Sequence, residues 1–122
     1  MSAEVLLDDE TVPIYVRRNE CIRMLDLALL EAKRRGAAMV EAERAYYSAK
    51  AHESFELLEA GYANTYIQTV IKGRPGVSEA MGAYHAAEVE YKNACEAINV
   101  YKMKLRSLEA DMEREYEQAR RQ

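Results

Sequence analysis

Residues 77–112 read VSEAMGAYHAAEVEYKNACEAINVYKMKLRSLEADM, and this stretch decides the fold. Stepping through it by seven residues meets only apolar or aromatic side chains. We call this series the second-half stripe: Val77, Tyr84, Tyr91, Ile98, Leu105, Met112 and Ala119. A companion series holds for five heptads: Ala80, Ala87, Ala94, Tyr101 and Leu108. Such spacing is typical of a helix that packs along its length against another helix, and it predicts one helix from residue 78 to about 118.

The segment before this helix predicts a turn at residues 73–77. It holds two glycines and Pro75, and Ser78 follows as a candidate cap. No proline interrupts residues 18–72, which predicts another long helix with Gly61 as the place for a kink or break. Its apolar positions form the first-half stripe, which drifts as after a stutter: Ile22, Leu25, Leu29, Ala32, Gly36, Met39, Ala42, Tyr46, Ala49, Phe55, Leu58, Tyr62, Tyr66 and Val70.

Two long helices joined by a short turn predict an all-α fold, a long, coiled-coil-like antiparallel helical hairpin over residues 18–122. Folding the chain about residue 75 places Tyr66 near Tyr84 and Met39 near Met112. Residues 21–30 then extend past the second helix without an intrachain partner. We therefore expect homo-oligomers, as dimers or larger helix bundles, with this interface: Ile22, Leu25, Leu27, Leu29 and Leu30.

Residues 1–17 are acidic and contain Pro13 among β-branched residues. They are either an extended arm or a short first helix starting at Pro13, and we favour an arm that docks on a partner subunit. Four acidic residues lie in the first ten positions, whereas the remaining 17 acidic residues balance the 17 basic ones. This neutral body disfavours both a generic electrostatic nucleic-acid binder and an acidic DNA mimic.

The chain has 122 residues, 31% of them charged, with 5 Gly and 2 Pro, which fits one helical domain. The two cysteines, Cys21 and Cys95, lie in apolar helical patterns and indicate a reducing compartment. The acidic start and the short apolar runs predict neither an export signal nor a membrane span. We therefore expect a cytoplasmic protein.

Catalytic and metal-binding patterns are missing from the sequence. Carboxylate-bridged metal bundles need Glu-x-x-His, but Ala49 and Gly82 stand three residues before His52 and His85. The glycines at residues 73–76 lack the Lys-Ser/Thr that completes a phosphate loop. The sequence thus predicts no enzyme, no metal and no cofactor.

Nine tyrosines and no tryptophan leave two interpretations. Most tyrosines fall on the two stripes and predict a tyrosine-and-alanine core. Alternatively, the off-stripe Tyr47 and Tyr116 could stack single-stranded nucleic acid beside basic clusters. The candidate basic residues are Lys33, Arg34, Arg35, Lys102, Lys104, Arg106, Arg120 and Arg121. In the expected register Lys33–Arg35 lie near Tyr116, where they merge with Arg120 and Arg121, although mixed charges on a helix are usually solvated.

Three segments carry a resemblance to known proteins: Tyr66-Ile67-Gln68-Thr69-Val70-Ile71-Lys72-Gly73, Ala87-Glu88-Val89-Glu90-Tyr91-Lys92-Asn93-Ala94 and Leu105-Arg106-Ser107-Leu108-Glu109. With the break between the helices they resemble small helical-hairpin proteins of bacteriophages and prophages, over residues 45–116. Those proteins are often encoded among replication and recombination genes. The resemblance implies no catalytic residues.

These observations favour a non-enzymatic accessory protein of phage DNA replication or recombination that self-associates and contacts a protein partner. The first alternative is direct binding of single-stranded nucleic acid. The second is a small inhibitor of a host enzyme.

Overall fold

The computed structural model describes residues 2–121, and every regular element in that range is helical. The elements are α1 (Ala3–Asp8), α2 (Ile14–Glu59), α3 (Asn64–Val70), a 3-10 turn (Ile71–Gly73) and α4 (Pro75–Arg121). The all-α class is confirmed, and α2 packs with α4. The long helix of the second half is also confirmed, and it runs a few residues beyond both predicted ends.

The chain divides into two compact units. The end unit comprises the described residues up to Ala32 together with those from Asn93 onward, and the turn unit is Lys33–Lys92. Each unit contains a stretch of α2 and a stretch of α4. The end unit adds α1, and the turn unit adds α3 with the 3-10 turn.

In the end unit, the prediction of an extended arm over residues 1–17 is wrong. The Ser2 side chain caps α1 by accepting a hydrogen bond from the Val5 amide at 3.4 Å, and Glu4 lies in the first turn, where a carboxylate stabilises the helix dipole. Asp9 Oδ1 then accepts hydrogen bonds from the Thr11 hydroxyl and amide at 2.6 and 2.9 Å, which lower the Asp9 pKa. The connection between α1 and α2 covers residues 9–13 and ends at Pro13, and α2 begins at the next residue.

The core of the end unit shows why α1 is held in place. Leu7 of α1 is buried with Cys21 of α2 and Leu108 of α4, and Ile14 and Leu105 pack against them. The expectation that residues 21–30 lack an intrachain partner is therefore wrong. Cys21 is fully buried, and its thiol donates to the Tyr101 carbonyl at 3.4 Å.

In the turn unit, α2 ends where Gly61 changes the direction of the backbone. Gly61 has φ +96°, a backbone conformation that residues with a Cβ atom rarely adopt. Its amide donates to the Leu58 carbonyl at 3.0 Å, and the Tyr62 amide donates to the Leu57 carbonyl at 3.2 Å. This pair of bonds is the Schellman motif that closes a helix. The sequence leaves open whether the first helix is interrupted, and the structure closes α2 at Gly61, the residue named as the place for a kink or break.

The connection between the long helices covers residues 60–74 rather than a turn at 73–77. Within it α3 and the 3-10 turn bury Ile67 and Ile71 against Leu57 and Val77. Pro75 is the first residue of α4, where its missing amide proton removes no hydrogen bond, so Ser78 is not the cap.

The longer connection changes the register of α2 against α4. In the turn unit the Tyr46 ring lies 6.1 Å from the Tyr84 ring, and a Cβ placed on Gly36 would meet the Tyr91 ring at 3.1 Å. The expected neighbours Tyr66 and Tyr84 are therefore wrong, because Tyr46 packs against Tyr84 instead. The error arises because a hinge at residue 75 counts residues 60–74 as part of the first helix.

The second-half stripe faces inward as predicted, since its members from Val77 to Met112 are buried or half-buried. The first-half stripe is wrong at several exposed positions: Leu29, Phe55, Leu58, Tyr62 and Tyr66. The inward positions of α2 alternate in steps of four and three as far as Glu53, and a second step of four then leads to Leu57: Cys21, Leu25, Ala28, Ala32, Arg35, Met39, Ala42, Tyr46, Ala49, Glu53 and Leu57. Five of these eleven residues are Cys or Ala, and the half-buried Gly36 lies against the Tyr91 ring.

We expect Gly61→Ala to destabilise the protein by about 1–2 kcal/mol, because an L side chain resists a positive φ. The matched control is Gly82→Ala, in the interior of α4, where an added Cβ meets nothing within 4 Å. That change should stabilise the helix by up to about 1 kcal/mol. Urea unfolding measures both. A Gly61→Ala protein as stable as the parent would contradict the proposed cap.

Candidate functional site

The predicted basic residues fall into separate groups. In the turn unit Lys33 and Arg34 are exposed, whereas Arg35 forms an ion pair with Glu90 at 2.9 Å. In the end unit Lys102 and Arg106 are exposed. Lys104 is half-buried, with its ammonium nitrogen 6.0 Å from the centroid of the Tyr101 ring. Arg120 and Arg121 are exposed in the last turn of α4, where cations stabilise the carbonyl end of a helix.

The merged basic patch expected from these groups is wrong. It required a register in which Lys33–Arg35 lie near Tyr116. Arg35 instead pairs with Glu90 within the turn unit.

The tyrosines divide between core and surface. Tyr46 is buried, and Tyr84, Tyr91 and Tyr101 are half-buried, as the tyrosine-and-alanine core predicts. Burial, followed by the nearby Glu43 and Glu88 carboxylates, raises the pKa of Tyr84.

Four of the exposed tyrosines are a stacked pair, Tyr62 with Tyr66, and two separate rings, Tyr47 and Tyr116. Tyr62 and Tyr66 stack at 4.9 Å between ring centroids and are about half exposed, contrary to their predicted place on the first-half stripe. Tyr47 and Tyr116 are 57% and 65% exposed. These two are the off-stripe tyrosines that the sequence singles out.

Both histidines lie outside any metal constellation. His52 Nε2 is 3.2 Å from Glu56 Oε1 on the exposed face of α2, and His85 stacks against Tyr84. Over residues 2–121, no three His, Cys, Asp or Glu side chains are grouped so that they could hold a metal ion.

The predicted oligomer interface is only partly accessible. Ile22 and Leu25 are half-buried within the end unit. Leu27, Leu29 and Leu30 point outward, with exposed fractions of 46%, 47% and 65%. These three leucines therefore remain available to a partner, although the overhang that suggested them does not exist.

A second apolar surface, which the sequence analysis missed, lies on the exposed face of α2 in the turn unit. We call it the outer stripe: Ala37, Val40, Arg44, Tyr47, Ala51 and Leu58. Every member is exposed, and Arg44 is the single charged one. Val40, Glu43, Arg44 and Tyr47 line a shallow hollow of about 320 Å³ on it.

The sequence did contain a signal for the outer stripe. Ala37, Arg44, Ala51 and Leu58 are seven residues apart, and so are Val40 and Tyr47. Leu58 was assigned to the first-half stripe because large apolar residues were assumed to face inward. The inward face of α2 uses alanine at several positions, and larger side chains such as Val40 and Leu58 lie outside.

Comparison with protein-family models, with curated proteins and with solved structures finds no match for this chain. The resemblance to phage helical-hairpin proteins therefore stays a prediction. In residues 2–121 no helix combines the length and the apolar content needed to cross a bilayer.

Cys21 should be chemically inert in the folded protein. Its burial raises the thiol pKa, and the thiolate is the reactive form. We expect a maleimide to label Cys21 only as fast as the end unit unfolds, and the half-buried Cys95 to be labelled earlier. Peptide mass spectrometry after timed labelling measures both rates. Equal labelling of Cys21 in buffer and in urea would contradict this packing.

Proposed function

We propose that this protein is a non-enzymatic helical accessory factor of phage DNA replication or recombination, and that it self-associates and works through contacts with other proteins. The process rests on the resemblance over residues 45–116. The mode of action rests on the surface of the helices.

The observation that carries the proposal is the balance between core and surface. Among the described residues, fifteen large apolar side chains are exposed, whereas only ten apolar residues are buried. Three of those ten are small: Cys21, Ala32 and Ala94. Because apolar area is worth about 25 cal/mol per Å² when it leaves water, such a surface favours association with a partner that covers it.

Charge supports a protein partner over a nucleic acid. The formal net charge is −4, and arginines in both units are paired with carboxylates. Arg18 lies 3.7 Å from Glu109, and Arg74 donates two hydrogen bonds to Glu53. Cations that already have carboxylate partners release few counterions from a phosphate backbone, and counterion release supplies most of non-specific nucleic-acid affinity.

Direct nucleic-acid binding can be tested with a fluorescent single-stranded oligonucleotide. We expect no change in anisotropy with the parent protein at low salt. Binding that falls steeply with rising salt, and that Lys33→Glu or Lys102→Glu weakens, would contradict the proposal and favour the nucleic-acid alternative.

Protein contact can be tested by co-expression with the products of neighbouring replication and recombination genes. We expect one of them to co-purify with the parent and to be lost with Leu30→Glu. The matched control is Val89→Glu, because Val89 is exposed to a similar extent, at 55% against 65%. Co-purification of none of these products would contradict the accessory role.

A further inference from the structure

We propose that a second copy of this chain docks antiparallel on the outer stripe of the turn unit. This inference rests on the self-association in the proposed function and assigns it a surface. The occupant is inferred from the order of side chains and charges along α2.

The outer stripe has the repeat that helix pairing requires. The inward face of α2 keeps the heptad spacing as far as Glu53, so positions seven residues apart hold the same orientation over that stretch. The outer stripe repeats at the same spacing on the opposite side. Val40, Tyr47 and Leu58 are each about half exposed there, at 48%, 57% and 52%. These side chains can therefore enter a second helix–helix contact without disturbing the first.

The stripe is self-complementary when two copies run antiparallel. With the two-fold axis between Ala45 and Tyr46, Arg44 of one copy lies opposite Tyr47 of the second copy, and Val40 lies opposite Ala51 of the second copy. Each contact occurs twice, as an isologous interface requires. The Arg44 guanidinium then meets the face of an aromatic ring, and Val40 meets the smaller Ala51.

Charge selects the antiparallel direction. In that register the half-buried Glu43 and Lys50 flank the stripe and oppose each other across the interface, again twice. A parallel, in-register pair would instead place Arg44 against Arg44 of the second copy, and like charges at such a contact are unfavourable. Within one copy, Arg44 lies 2.6 Å from Glu41 in an exposed pair, which leaves this arginine at the surface.

Sedimentation velocity of the full chain at tens of micromolar tests the proposal. We expect a dimer for the parent and for Tyr47→Phe. Tyr47→Glu should raise the dimer dissociation constant at least about tenfold while the circular dichroism stays helical. The matched control Tyr116→Glu changes a tyrosine of similar exposure, 65%, that lies off the stripe, and it should stay dimeric.

Cysteine cross-linking tests the direction. The Val40→Cys/Ala51→Cys double variant should form intersubunit disulfides on mild oxidation. Neither single variant should do so, because identical positions are offset along the antiparallel pair. All three variants are made in a Cys95→Ser background, because Cys95 is half-buried, whereas Cys21 is fully buried.

A monomeric parent, or a Tyr47→Glu protein that dimerises like the parent, would overturn the proposal. Cross-linking of Val40→Cys alone would also overturn it, because that result requires a parallel pair. A monomeric parent that still co-purifies with a replication or recombination protein would refute this interface while leaving the accessory role intact. A dimeric parent that co-purifies with no replication or recombination protein would refute the accessory role while leaving this interface intact.

Discussion

The rest of the structure depends on the positive φ of Gly61. Because the chain turns there, α2 ends at Glu59 and the Schellman hydrogen bonds satisfy its last carbonyls. Residues 60–74 are then free to pack α3 and the 3-10 turn beneath the start of α4. The length of this connection decides which residue of α4 meets which residue of α2. The contact of Tyr91 with Gly36 follows from it.

The contact between the long helices pairs large side chains with small ones. In the turn unit Tyr91 packs on Gly36, where even a methyl group would require the ring to shift. Such packing brings the helices close at Gly36, while several large apolar side chains of α2, such as Val40, Tyr47 and Phe55, fall on its outer side. The small core and the apolar outer side of α2 therefore occur together, and the proposed association uses that outer side.

The sequence predicted some features well because local chemistry controls them. The stripe of α4 is uninterrupted and rich in large residues, so its inward face could be read directly, and a glycine at residue 61 marked the break. The inward face of α2 was misjudged at residues 28 and 29, because size favours Leu29 whereas Ala28 is the half-buried residue. The arm over residues 1–17 was misjudged because α1 depends on burying Leu7 against Cys21 and Leu108, a long-range contact. The outer stripe was missed because large apolar side chains such as Leu58 were expected to face inward.

The register of the turn unit is the central claim, and a distance between residues 35 and 90 tests it most directly. Spin labels at Arg35→Cys and Glu90→Cys, in a Cys95→Ser background with Cys21 buried, should show strong dipolar coupling, because these side chains pair across helices whose axes lie about 8–10 Å apart. A chain folded about residue 75 would place residue 35 opposite residue 115. The two labels would then lie roughly 37 Å apart at 1.5 Å per residue, and a distance in that range would contradict the account.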